Sequence, residues 1–217
     1  MHDISQNLKE LKEELPEKVT LVAVSKTKPA ADILEAYQSG HRDFGENKAQ
    51  ELESKWKELP QDIRWHMIGH LQRNKVKYIA PFVHLIHAVD SLRLLKEINK
   101  QGAKNNRVIS CLLQLKIARE DSKFGLSEAD ARSILQDGEL KAMPFVAIKG
   151  LMGMATFTDN TNRVSREFGY LSDLYNQWKE PFGFSILSMG MSGDYQTAID
   201  QGSTMVRIGS AIFGARN

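Results

Sequence analysis

Eight short apolar runs, separated by longer segments of helical period, constrain this chain more than any other feature of its sequence. They fall at residues 19–24 (VTLVAV), 42–44, 65–68, 85–88, 108–115, 146–152, 184–187 and 205–208. The first is rich in β-branched residues and lacks polar alternation, as a strand covered on both faces should. Residues 30–40 then read as a helix, with Ile33, Leu34 and Tyr37 on one side and Gly40 as its stop. Repeated strand–helix alternation predicts a parallel sheet, and eight strands in this order predict a single (β/α)8 TIM barrel over residues 1–217. Leu8, Leu11 and Leu15 suggest an extra helix before the first strand. A doubly wound open sheet competes, because alternation alone does not fix closure. The strand count and the lack of a GxGxxG turn after the first strand favour the barrel.

Composition narrows the classes of partner. Lysine and arginine total 29 against 27 acidic residues, and no run of five like charges occurs, so nothing suggests a field built for nucleic acid or anionic lipid. Residues 1–15 are charged and periodic, and no apolar stretch approaches the ~20 residues needed to span a bilayer, which points to the cytoplasm. Cys111 is the only cysteine and lies within an apolar run, so it reads as a small core residue. His2, His41, His84 and His87 lack metal-ligand spacing and read as surface or satisfied histidines, with no metal site expected.

In a barrel of this kind, strand tips and the loops after them build the active site. The first tip carries Ser25, Lys26, Thr27 and Lys28, the second Gly45, Glu46 and Asn47, the third His66, Gly69 and His70, and the last Arg207, Gly209 and Ser210. Lys26 follows a wholly apolar strand, so its amine should emerge into the barrel mouth, where dry surroundings favour a neutral amine able to form an imine. Lys28 would point the same way if the strand continued, and its charge would favour a neutral Lys26. Pairing of either lysine with a carboxylate, or a solvated loop, is the other reading. Residues 188–193 (SMGMSG) and 206–214 (VRIGSAIFG) place small residues where hydroxyls and amides of Ser192, Gly209 and Ser210 could grip a phosphate, or simply form tight turns. Arg207 faces inward between two apolar neighbours and needs an acceptor, either a carboxylate such as Glu46 or a ligand atom. Met152, Met154, Met189 and Met191 read as fillers of the mouth, with Met191 near any ligand.

Five stretches carry a resemblance: 23–29 (AVSKTKP), 44–47 (FGEN), 65–75 (WHMIGHLQRNK), 188–192 (SMGMS) and 202–216 (GSTMVRIGSAIFGAR). Together they resemble the pyridoxal phosphate homeostasis proteins, which are similar to the N-terminal domain of alanine racemase. The resemblance implies a barrel holding pyridoxal 5'-phosphate as an imine on Lys26, with Ser192, Gly209 and Ser210 at the phosphate. It also implies that Arg207 faces the pyridine nitrogen and that Asn47 and His66 line the pocket near the ring. The family often carries threonine at the position of Ser210, and many relatives carry a small polar residue at that of Arg73. The implied role is intracellular vitamin B6 homeostasis by a monomeric carrier with little or no turnover and no catalytic residue, handing the cofactor transiently to apo-enzymes. The chain ends at Asn217, so the second domain and partner tyrosine of the racemases are expected to be missing. Lys123 receives cofactor during transfer or is a solvated loop lysine. The alternatives are a pyridoxal-phosphate-dependent amino-acid racemase and a barrel that binds another phosphorylated metabolite without an imine.

Overall fold

The computed structural model describes residues 3–118, 124–136 and 138–214. Eight parallel strands close on themselves: β1 (Thr20–Val24), β2 (Asp43–Glu46), β3 (Arg64–Met67), β4 (Leu85–Val89), β5 (Ile109–Gln114), β6 (Val146–Met152), β7 (Ile186–Met191) and β8 (Met205–Ile208). Their order in the sheet is their order in the chain, and β1 pairs with β8, matching Val22 with Arg207 and Ala23 with Ile208. That pairing excludes the open sheet and establishes the barrel.

Helices cover the outside: α1 (Ile4–Glu14), α2 (Ala30–Gln38), α3 (Ala49–Glu58), α4 (Val76–Ile79), α5 (Leu92–Lys104), α6 (Glu128–Gln136), α7 (Gly138–Lys141), α8 (Thr161–Phe182), α9 (Tyr195–Asp200) and α10 (Ser210–Phe213). The helix expected before the first strand is α1, which starts at Asp3, whose carboxylate accepts from the Gln6 amide. It buries Leu8 and Leu11, and Asn7 donates to the Ile212 carbonyl at 2.9 Å, tying α1 to α10. No helix of the described residues is long and apolar enough to cross a membrane.

Strand alternation sorts the apolar side chains into two layers. Leu21, Ala23, Phe44, Trp65, Met67 and Cys111 face the helices in the larger core, while Val22, Leu85, Leu112, Met152 and Met205 fill the barrel interior. Met152 therefore packs inside the barrel and Met189 under the helices, instead of both lying at the mouth. Burial pushes the Cys111 thiol up, so it stays protonated and inert.

The seventh strand differs from its sequence reading of 184–187. It begins two residues later and runs through Met191, so most of the serine- and glycine-rich segment is strand, not loop. The pairing with β8 shifts register between Ser188 and Met191, and Gly190 sits at φ +98 with Ala198 only 2.7 Å from where its Cβ would be. Only glycine meets both demands, so a bulge hides this strand in a run that reads as a turn.

Candidate functional site

At the C-terminal ends of the strands lies a cavity of about 400 Å³, within the usual range for small-molecule sites. Lys26, Asn47, Ser192, Arg207, Gly209 and Ser210 all line it, as do Lys28 and Met191. Val24, Ile68, Phe124 and Met154 supply apolar wall, so the polar groups converge on a largely greasy chamber.

Lys26 owes its place to the way β1 ends. The strand stops at Val24, and Thr27 takes a left-handed backbone at φ 66, so the chain turns instead of continuing extended. Lys28 still reaches the cavity by that turn, and its ammonium donates to the Phe213 carbonyl at 2.8 Å. A buried ionic cluster holds the turn from behind. The Lys55 ammonium contacts the Ser25 carbonyl, Glu46 Oε1 and Glu51 Oε1, each at 2.8 Å. Ser25 Oγ donates to Glu46 at 2.6 Å, and the Thr27 amide donates to Glu51 at 2.6 Å. Burial raises the Glu46 carboxyl to about 7, outweighing the attraction of Lys55.

Arg207 lies on β8, only 3% exposed, with its head at the cavity wall. Nη1 donates to Ser188 Oγ at 2.6 Å and Nη2 to the Gly153 carbonyl at 3.2 Å. Both acceptors are neutral. The carboxylate partner considered from sequence, Glu46, is instead held by Lys55 and Ser25, because its position on β2 turns it outward to α3. Burial lowers the Arg207 guanidinium to about 10, leaving it a cation at neutral pH. Beside it, the Gly209 amide donates to Ser192 Oγ at 3.2 Å, which leaves the Ser192 hydroxyl proton for another acceptor. A Cβ on Gly209 would lie 3.0 Å from the Val24 carbonyl, so glycine lets the last loop close against the first strand.

Two residues are placed away from the cavity. His66 points into the barrel one layer below it, because Ile68, two residues on, takes the mouth position. Its ring contacts His87 at 2.9 Å and Asp43 at 3.1 Å. Arg73 opens an exposed 3-10 turn (Arg73–Lys75) and does not line the cavity. Lys123 and His2 lie outside the described residues. His41 is buried, bonded to the Asp43 carbonyl at 2.8 Å and held near 4 by burial.

Sequence reasoning named His70 at the third strand tip without giving it a role, and it passed over Gln114. His70 stands at a strand tip, stacks on Phe124 at 4.1 Å and contacts Asp90 at 3.1 Å. Gln114 ends β5 inside an apolar run and donates to the Phe124 carbonyl at 2.9 Å. Position at a strand end was the available signal for both. Spacing also gave no hint that ligand atoms of Asp43, His66 and His84 fall within 4.8 Å of one another. Arg64 grips both Asp43 oxygens, at 2.8 and 2.5 Å, and its charge opposes a cation there.

A closed parallel barrel with a lysine at its first strand tip and small residues at its last two defines a class. The family model described as alanine racemase, N-terminal domain, matches residues 1–217. The chain is 36% identical to the pyridoxal phosphate homeostasis protein of Vibrio alginolyticus, over 100% of this chain and 99% of that one. It is 34% identical to the protein of that name from Escherichia coli K12, covering 100% and 98%. The chain thus belongs to the pyridoxal phosphate homeostasis protein family. PipY of Synechococcus elongatus PCC7942, solved with PLP bound, superposes with a TM-score of 0.89 at 34% identity, over 97% of this chain and 100% of that one. An alanine racemase of Clostridium difficile 630 shares the fold at a TM-score of 0.78 and 14% identity, with 57% of its chain covered.

Replacing Lys55 with methionine leaves Glu46 to take up a proton and deprives it and the Ser25 carbonyl of a donor. A loss of about 1–3 kcal/mol in urea-unfolding free energy is expected. An unchanged midpoint would mean the cluster does not brace the Lys26 turn.

Proposed function

We propose that this chain binds pyridoxal 5'-phosphate in the barrel mouth and serves in maintaining the intracellular supply of that cofactor, as a carrier with little or no turnover. The observation that carries the reading is the convergence of Lys26, Arg207 and the Ser192–Gly209–Ser210 group on one cavity. Their chemistry matches three ends of one molecule: an amine for the aldehyde, hydroxyls and amides for the phosphate, and a cation for the ring nitrogen. Asn47 lies on the same wall and is suited to the ring substituents.

When bound, the cofactor supplies an aldehyde that condenses with an amine, releasing water, and a ring whose power as an electron sink rises when its nitrogen is protonated. Arg207 bears on that second property. A guanidinium carries five donors and no acceptor, and it cannot give up its proton readily. Facing the ring nitrogen, it would hold that nitrogen unprotonated and the ring a weak electron sink. No tyrosine or carboxylate is among the described residues lining the cavity. Both features support a carrier, as does the homeostasis name shared by the relatives. A monomer that hands its cargo to apo-enzymes completes this reading.

One observation favours the racemase alternative. His70, paired with Asp90 at the cavity, offers a second group able to move a proton. Incubation with amino acids in heavy water separates the two readings. The carrier should show no exchange at Cα that depends on Lys26, and rapid exchange abolished by Lys26→Ala would establish turnover.

Purified protein given pyridoxal 5'-phosphate should turn yellow, and borohydride should fix a phosphopyridoxyl mass on the peptide containing Lys26. A colourless protein, or label on another lysine, would refute the attachment. Arg207→Ala and Ser192→Ala should each lower cofactor affinity about tenfold in a fluorescence titration, the loss of one charge-assisted contact. Unchanged affinity would remove that residue from the site.

A further inference from the structure

A continuous line of polar side chains crosses the barrel interior among the apolar Val22, Leu85, Leu112, Met152 and Met205. Five side chains, from five different strands, cross it in hydrogen-bonded succession: Arg207 on β8, Ser188 on β7, His87 on β4, His66 on β3 and Asp43 on β2. The steps are 2.6 Å from Arg207 Nη1 to Ser188 Oγ and 3.0 Å from Ser188 Oγ to His87 Nδ1. They continue with 2.9 Å from His87 Nε2 to His66 Nδ1 and 3.1 Å from His66 Nε2 to Asp43 Oδ1. Arg64 closes the far end with its two bonds to Asp43. The first member lines the mouth cavity, whereas Asp43, Arg64 and His66 line a separate cavity among residues that begin the strands, at the opposite face. Ser188 and His87 are wholly buried and His66 nearly so, so water does not compete for the bonds among these three.

Matching every buried donor with an acceptor, the Ser188 hydroxyl proton above all, sets the direction of each bond along the line. Arg207 can only donate, so Ser188 Oγ accepts from it. The Ser188 hydroxyl proton then goes to His87 Nδ1, the other side-chain partner of that oxygen among the described residues. His87 must carry its own proton on Nε2 and donate it to His66 Nδ1. His66 in turn carries its proton on Nε2 and donates to Asp43. Burial opposes an ionised Asp43, but hydrogen bonds from Arg64 and His66 prevail and hold its carboxyl well below the usual carboxylate range, so the chain ends on an obligate acceptor. Burial likewise lowers His87 well below the ordinary histidine value.

We infer that Ser188, His87, His66 and Asp43 form a one-directional hydrogen-bonded relay across the barrel that aims Arg207 at the ligand cavity, with both histidines held as neutral Nε2–H tautomers. These are positioning residues, since none but Arg207 reaches the cavity. Each bond settles the freedom of the group before it. Asp43 sets the His66 tautomer, His66 sets that of His87, His87 fixes the Ser188 hydroxyl rotor, and Ser188 anchors the arginine head. A break at any point leaves a buried donor or acceptor unmatched, which costs more than the bond itself contributes. His66 thus bears on the ligand through Arg207, from one layer below the mouth where family resemblance would put it. The consequence for binding rests on the proposed cofactor site, whereas the relay itself does not.

Two measurements on the full chain test it. In isotope-labelled histidine NMR without cofactor at neutral pH, His66 and His87, assigned with the help of His87→Asn, should both show protonated Nε2 and bare Nδ1. A neutral Nδ1–H ring or an imidazolium at either position would overturn the directed relay. For positioning, His87→Phe removes the acceptor for Ser188, and His87→Asn restores one, because its carbonyl oxygen falls near the Nδ1 position. Pyridoxal 5'-phosphate affinity should drop about tenfold in the first variant and recover part of that loss in the second, which keeps the acceptor for Ser188 but loses the donor to His66. Equal affinity in all three, or equal loss in both variants, would refute the positioning role. Should His87→Phe fail to fold, Ser188→Ala takes its place, with the same loss expected and unchanged affinity refuting the role. If wild-type protein does not bind the cofactor at all, the functional reading fails while the tautomers still decide the relay.

Discussion

The pairing of β1 with β8 is the constraint from which the site follows. Eight parallel strands can lie in chain order in an open sheet, but then the first and last tips stand at opposite edges. Closure sets Val22 beside Arg207 and Ala23 beside Ile208, so Lys26, just past the first strand, and Gly209 and Ser210, just past the last, share one wall. The fit is tight enough that a Cβ on Gly209 would press on the Val24 carbonyl. Contacts between distant parts of the chain become neighbours in the mouth, which is why this architecture concentrates chemistry at one face.

A dry cavity edged with charge is costly unless the charges behind it are answered. The fold answers them in two separate networks. Outside the barrel, Lys55 gathers Glu46, Glu51 and the Ser25 carbonyl and so braces the turn that carries Lys26. Inside, Arg207 hands its hydrogen bond to Ser188 and onward through two histidines to Asp43. One network steadies an amine and the other a guanidinium, and the ligand proposed here would lie between them.

Much of this was legible in the sequence. The apolar runs located all eight strands because most strand residues are buried, and the composition of the first marked Lys26 as a lysine leaving a core. Arg207 was recognisable as an inward cation from its apolar neighbours alone. What escaped reading depended on register. The strand nature of residues 188–191 was masked by glycine and serine that a bulge requires. His66 and Ile68 both point inward, and only the three-dimensional depth of the strand decides which of them reaches the mouth. The partners of Glu46 and of His87 come from elements 9 and 101 residues away in sequence, and no local pattern announces such contacts.

The most direct test of the account is a crystal structure of the protein soaked with pyridoxal 5'-phosphate. Continuous density from Lys26 Nζ to the cofactor, its phosphate against Ser192, Gly209 and Ser210, and its ring nitrogen facing Arg207 is the predicted result. A cofactor bound elsewhere, or seated in the mouth with Lys26 turned away from it, would contradict the central claim.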